Sequence, residues 1–118
     1  MSLQFPVTRL AVPCHRDLVC LSTPVQDLEH TLRPSERHAI GKAVDKRRRE
    51  YATGRWLAHR ALAELNVSAP GIPTGPKREP LWPDGVVGAI THTDGIVAVA
   101  VTTDVEVAGV GILSLIHI

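Results

Sequence analysis

Six consecutive apolar residues, Ile96-Val-Ala-Val-Ala-Val101, leave an extended chain no polar side to turn toward water. Side chains alternate between the two faces of a strand, so a run that is apolar on both faces reads as a central strand covered from both sides. Thr93-Asp-Gly95 stands just before it and carries the turn chemistry of a tight hairpin. Val86 to His92 reads as the strand entering that hairpin, and Val105 to Ile112 as a third strand after it.

The cover has to come from the middle of the chain. A long helical stretch is expected from about Ser35, a good N-cap residue, to Leu65. Leu57, Ala58, Ala61, Leu62 and Leu65 repeat with helical spacing and make its apolar stripe. Gly54 weakens such a helix by about 1 kcal/mol relative to alanine, and marks either close packing or a break between two helices. Asn66 is a suitable stop. Upstream, Val7 to Val12 and Leu18 to Leu21 read as short strands, and residues 23–34 as a loop or short helix between Pro24 and Pro34. Downstream, residues 68–85 carry Pro70, Pro73, Pro76, Pro80 and Pro83, too many for helix or regular strand. Leu81 and Trp82 within that segment call for burial, which argues against a linker. The fold class that follows is α+β, a small antiparallel sheet packed against a long helix, and 118 residues suit one domain.

Composition excludes some classes. No apolar run is long enough to span a membrane, and the start lacks the basic, apolar and small-residue regions of a signal peptide, so a cytoplasmic location is expected. Cys14 and Cys20 do not make a disulfide framework, and with His15 and His30 their spacing fits no zinc pattern. The net charge of +1 hides a concentration: nine of the 13 basic residues lie between Arg33 and Arg60, against Glu36, Asp45 and Glu50. Such a stretch suits nucleic acid, an anionic cofactor or an acidic partner protein, or is simply a solvated helix face.

Geometry narrows this choice. In a meander of strands adjacent in sequence order, the first and third point the same way, and their ends lie about 10 Å apart at the usual strand spacing. His92 ends the first of these strands and Ile112 the third. A phosphate-sized group fits between two such ends, with the basic helix as counter-charge.

These residues carry a resemblance. Arg47-Arg-Arg-Glu-Tyr-Ala-Thr-Gly-Arg55, the stretch from Arg78 through Trp82-Pro83 to Ala89-Ile-Thr-His92, and Val107-Ala-Gly-Val-Gly-Ile112 follow one another in an order and spacing that resemble the 4'-phosphopantetheinyl transferases of the surfactin and enterobactin type. The resemblance spans about residues 35–112. It implies one half of a pseudo-twofold α+β fold. It also implies transfer of the 4'-phosphopantetheine arm of coenzyme A to a serine of an acyl or peptidyl carrier protein, with 3',5'-ADP leaving. Chemistry of that kind is positioning plus neutralisation of phosphate charge, which is why basic residues and Mg²⁺ serve it better than a protein nucleophile. By position, Thr91 and His92 would contact the coenzyme A phosphates, and Lys77 and Arg78 fall in a cofactor-contacting segment. Arg48 and Arg55, seven apart and so on one helix face, would be the helix contributions.

The departures are as informative. Ala89 stands where the family usually has serine. Leu113 stands where a metal-binding aspartate should follow Ile112, with no glutamate two residues on, and leucine cannot ligate Mg²⁺. Leu113-Ser-Leu-Ile-His-Ile118 resembles a translated transposase sequencing adapter. The expectation is therefore an N-terminal subdomain over 1–112 followed by a non-native tail over 113–118, lacking the metal ligands and inactive alone. The competing reading is a small basic nucleic-acid-binding or carrier-docking module. The arginine-rich helix is its one support, since no zinc-finger, RNP-like or KH pattern accompanies it.

Overall fold

The computed structural model describes residues 7–9, 18–41, 44–93 and 95–103. Its centre is the helix α1, Asp45–Glu64, packed on a four-stranded antiparallel sheet of β1 (Thr8–Arg9), β2 (Leu18–Pro24), β3 (Val87–Thr93) and β4 (Ile96–Thr102). Their spatial order is β1-β2-β4-β3. The expected α+β layout is present.

The apolar run takes the central place. Every residue of β4 pairs with β3 on one side and with β2 on the other, from Ile96 opposite Thr93 and Pro24 to Thr102 opposite Val87 and Leu18. Val97, Val99 and Val101 join Val19, Leu21, Leu57, Ala58, Ala61, Leu62 and Ile72 in the main core. The alternate residues Ala98, Ala100 and Thr102 are buried as well, as a strand with two covered faces requires. Gly95, just before Ile96, has φ +78°, a conformation glycine adopts without penalty.

This pairing corrects the expected meander. The expected third strand, Val105–Ile112, lies outside the described residues, and β2 holds the edge of β4 that a meander would have given it. The strand that runs parallel to β3 two places away is β2, so the end of the sheet that carries His92 is shared with Thr23-Pro24 rather than with Ile112. The non-local pairing of β2 has no signature in the sequence next to either strand.

The long helix is also shorter than its periodicity suggested. Pro34–Ile40 forms a 3-10 helix, and α1 begins only after Val44, whose backbone is extended. Ser35 therefore does not cap α1. Ile40 is pulled into a second, smaller cluster with Leu28, Leu32 and Ala52, and Gly41 follows it, a residue that weakens any continuous helix. Gly54 does not interrupt α1. A β-carbon there would stand 3.0 Å from Ile90 Cγ2, so this glycine sets how closely helix and sheet approach. Asn66 ends the helix with φ +60°, Val67 N–H reaching Leu62 C=O and Asn66 N–H reaching Ala63 C=O, the paired bonds of a Schellman motif.

Residues 68–85 are extended and turn-rich, as their prolines dictate. Trp82 packs on the core beside Gly88, where a β-carbon would meet its ring at 2.7 Å. Leu81, expected to be buried, is 45% exposed, because its N–H is committed to Pro73 C=O while Trp82 takes the inward place.

Candidate anion-binding cleft

The helix, the end of β3 and the proline-rich segment enclose a cleft of about 810 Å³. Helix α1 contributes Arg47, Glu50, Tyr51, Gly54 and Arg55; β3 contributes Ile90 and His92; the segment after the helix contributes Pro73, Thr74, Arg78 and Pro80. Spacings of three and four along 47, 50, 51, 54 and 55 form one stripe on the helix surface. Ile90 and His92 are two apart and so share a strand face.

Arg55 is the most constrained of these groups. It is only 5% exposed, a state arginine rarely adopts without partners. Its Nε donates to Ile72 C=O at 2.7 Å and its Nη2 to Thr74 Oγ1 at 3.0 Å, while its guanidinium stacks 4.4 Å from the centre of the Tyr51 ring. Burial pushes its pKa down, opposed by Tyr51 and the Glu36 carboxylate, and arginine starts high enough to stay protonated. The Tyr51 hydroxyl lies 3.1 Å from the same Thr74 Oγ1. A fixed cation thus forms the floor of the cleft.

Arg78 and His92 stand at the sides. Arg78 ends a turn in which its N–H donates to Gly75 C=O and Gly75 N–H donates to Glu79 C=O. Pro76 takes the second turn position and Arg78 the left-handed one, with φ +64°. His92 is partly exposed, with Nε2 3.6 Å from Glu50 Oε1. Three arginines and an imidazole face the cleft against one carboxylate, so its field favours an anion.

Of the six residues singled out from sequence, the structure brings Arg55, Arg78 and His92 into this one cleft. It places the other three elsewhere. Arg48 shares the helix angle of Arg55 but lies at the margin of the stripe, where Glu29 pairs with it and Ile40 C=O accepts from it at 3.1 Å. Lys77 is at the exposed tip of the turn, its backbone N–H 3.3 Å from Glu79 Oε1. Thr91 falls between Ile90 and His92, and the alternation of β3 turns it to the opposite face of the sheet. Arg47, Tyr51 and Thr74 were missed. Helical phase cannot choose between Arg47 and Arg48 without knowing where Glu29 sits, and Tyr51 is half-buried in the cleft wall.

Metal binding is a separate question. Among the described residues no group of three or more His, Cys, Asp or Glu side chains could hold a metal ion, and position 113 lies outside them. Cys20 is a buried thiol within β2, pushed up in pKa by that burial. No helix among the described residues is long and apolar enough to cross a membrane.

Comparison with known proteins bears on the same segment. The model of the 4'-phosphopantetheinyl transferase N-terminal domain family matches residues 35–102. The chain is similar to the 4'-phosphopantetheinyl transferase Npt of Nocardia iowensis, 44% identical over 79 residues that make up 67% of this chain and 36% of the relative. It is similar to PptT of Mycobacterium tuberculosis, 43% identical over 79 residues, 67% of this chain and 35% of the relative. Enterobactin synthase component D of Salmonella typhi is 50% identical over 54 residues, 45% of this chain and 22% of the relative. The matches thus cover about a third or less of these relatives' length. With helix, proline-rich segment and hairpin all inside the matched residues, the chain belongs to the 4'-phosphopantetheinyl transferase N-terminal domain family.

Proposed function

We propose that the cleft binds the phosphate groups of coenzyme A, and that the chain forms the cofactor-binding N-terminal part of an enzyme that transfers 4'-phosphopantetheine to a carrier-protein serine. The observation that carries this reading is the convergence of Arg47, Arg55, Arg78 and His92 on one 810 Å³ space, with Arg55 already fixed by three partners. A preorganised cation needs no reorganisation when phosphate charge arrives, which is the main protein contribution to phosphoryl transfer.

In that reaction the serine hydroxyl gives its proton to solvent water and its oxygen bonds to the β-phosphorus. The bond from that phosphorus to the bridging oxygen breaks, and the oxygen leaves with 3',5'-ADP. Arg55 holds the diphosphate from the floor of the cleft and Arg78 from its wall, and His92 donates from the sheet edge. Glu50 stands beside the imidazole, its Oε1 3.6 Å from His92 Nε2. Mg²⁺ supplies further charge neutralisation in such chemistry, but the described residues offer no donor set for it, so no step here depends on them for a metal. This reading puts the chain in the cytoplasm with coenzyme A and an acyl or peptidyl carrier protein as its partners.

Calorimetric titration with coenzyme A and, separately, with pantetheine tests the assignment. Coenzyme A should bind, and pantetheine, which lacks the phosphates, should not. Excess nonspecific duplex DNA should leave coenzyme A binding in place. If DNA competes and its own binding falls steeply with salt, the basic helix is a nucleic-acid surface instead.

A further inference from the structure

Behind the cleft lies a buried carboxylate that the reaction above does not use. Glu36, in the 3-10 helix Pro34–Ile40, is fully buried. Its Oε1 accepts the Arg33 N–H at 2.7 Å, and its Oε2 accepts the Ile72 N–H at 2.7 Å and stands 2.7 Å from His59 Nε2. Neither Glu36 nor His59 lines the cleft; His59 opens instead onto a shallow depression with Thr31, Arg33, Trp56 and Arg60. Ile72 connects the two regions. It gives its N–H to Glu36 and its C=O to Arg55 Nε, and two residues later Thr74 receives Arg55 Nη2. The backbone that grips Arg55 is therefore itself gripped by Glu36.

We propose that Glu36 and His59 are positioning residues for Arg55: through the backbone of Ile72 they fix the guanidinium at the angle the anion meets. This rests on the cleft being the coenzyme A site for its binding consequence, but not for its structural one. A glutamine at 36 has one acceptor oxygen where the carboxylate has two. Whichever way its amide turns, an N–H of either Arg33 or Ile72 faces an NH₂ group. A leucine at 59 removes the donor to Oε2, whereas a glutamine at 59 keeps one.

Two readouts on the full chain test the proposal. The first is the exchange rate of the Arg55 Nε–H in nitrogen-edited NMR, which is slow while that proton is bound to Ile72 C=O. The second is coenzyme A affinity by calorimetry. Glu36→Gln and His59→Leu should both speed exchange of the Arg55 Nε–H, and should weaken coenzyme A about tenfold, the low end of what losing a ligand-orienting partner costs. His59→Gln should restore both. Unchanged exchange in Glu36→Gln and His59→Leu overturns the proposal, as does a His59→Gln protein no better than His59→Leu. If Glu36→Gln fails to fold, the two His59 variants decide alone. If the parent chain binds no coenzyme A, the assignment of the cleft falls, and the exchange rates still decide whether Glu36 and His59 hold Arg55.

Discussion

Arg55 and Tyr51 converge on a single atom: Thr74 Oγ1 lies 3.0 Å from the arginine Nη2 and 3.1 Å from the tyrosine hydroxyl, while the two side chains stack at 4.4 Å. The pair sits one helical turn apart on α1 and joins it to the proline-rich segment. A lysine at 55 keeps the charge but has neither the planar fork for two acceptors nor the flat face for the ring. Charge-assisted hydrogen bonds are worth about 1.5–3 kcal/mol, so Arg55→Lys should weaken coenzyme A by roughly ten- to a hundredfold. Arg60→Lys, on the far side of the helix, should leave affinity unchanged. Calorimetry on both variants measures the difference.

Glu36 makes the acid stability of the chain predictable in sign. Burial alone pushes this carboxyl up; the hydrogen bonds from His59 and from the Arg33 and Ile72 N–H groups outweigh it, and the net pKa lies below the ordinary glutamate value. A folded-state pKa below the unfolded one means the unfolded chain binds more protons in the window between them. The stabilisation is therefore complete above about pH 4.5 and lost as pH falls through the folded value. Urea midpoints measured from pH 7 down to pH 3 should fall more steeply in the parent than in Glu36→Gln, which has no proton to gain. An equally steep acid limb in both would contradict the assignment.

Gly88 is a packing requirement. A methyl group there would meet the Trp82 ring at 2.7 Å and Val101 Cγ1 at 2.8 Å, and neither the ring nor a buried valine of the central strand can withdraw easily. Overpacking of this kind costs about 1–3 kcal/mol. Gly88→Ala should lower the thermal midpoint by several degrees, roughly 4–8 °C per kcal/mol in a domain near this size. Trp82→Leu in the same background should recover part of the loss, which a pure strand-propensity effect would not allow.

What could be read from the residues follows the range of the interactions involved. The apolar run 96–101, the hairpin at Gly95, the stripe from Leu57 to Leu62 and the stop at Asn66 are all local patterns, and each is where it was expected. The pairing of β2 with β4 joins residues 72 to 84 positions apart, from Pro24 opposite Ile96 to Leu18 opposite Thr102, and no neighbouring residue encodes it. The break before α1 was hidden because Glu36 and Ile40 keep helical spacing while being drawn inward by Ile72 and Leu28. At the cleft, residue type and motif order singled out Arg55, Arg78 and His92, which the fold brings to one cleft. Arg48 and Thr91 were set aside by a partner and a strand face that only the assembled fold supplies.

Arg78 separates stability from function most cleanly. With φ +64° it occupies a conformation that costs a non-glycine residue about 1–2 kcal/mol, and it does so at the wall of the cleft. Its N–H bond to Gly75 C=O closes the turn and does not need its side chain. Arg78→Gly keeps that bond and relieves the backbone, offset by the extra freedom glycine has when unfolded, about 0.5–1 kcal/mol. The variant should therefore be as stable as the parent or slightly more so in urea melts. It also removes one of the three guanidinium groups facing the anion, so coenzyme A should bind about tenfold more weakly, a loss of roughly 1.4 kcal/mol. Arg78→Asn, which tolerates the same backbone, should behave alike. A glycine variant that gains stability without losing affinity would remove Arg78 from the site and leave its strain without a purpose there.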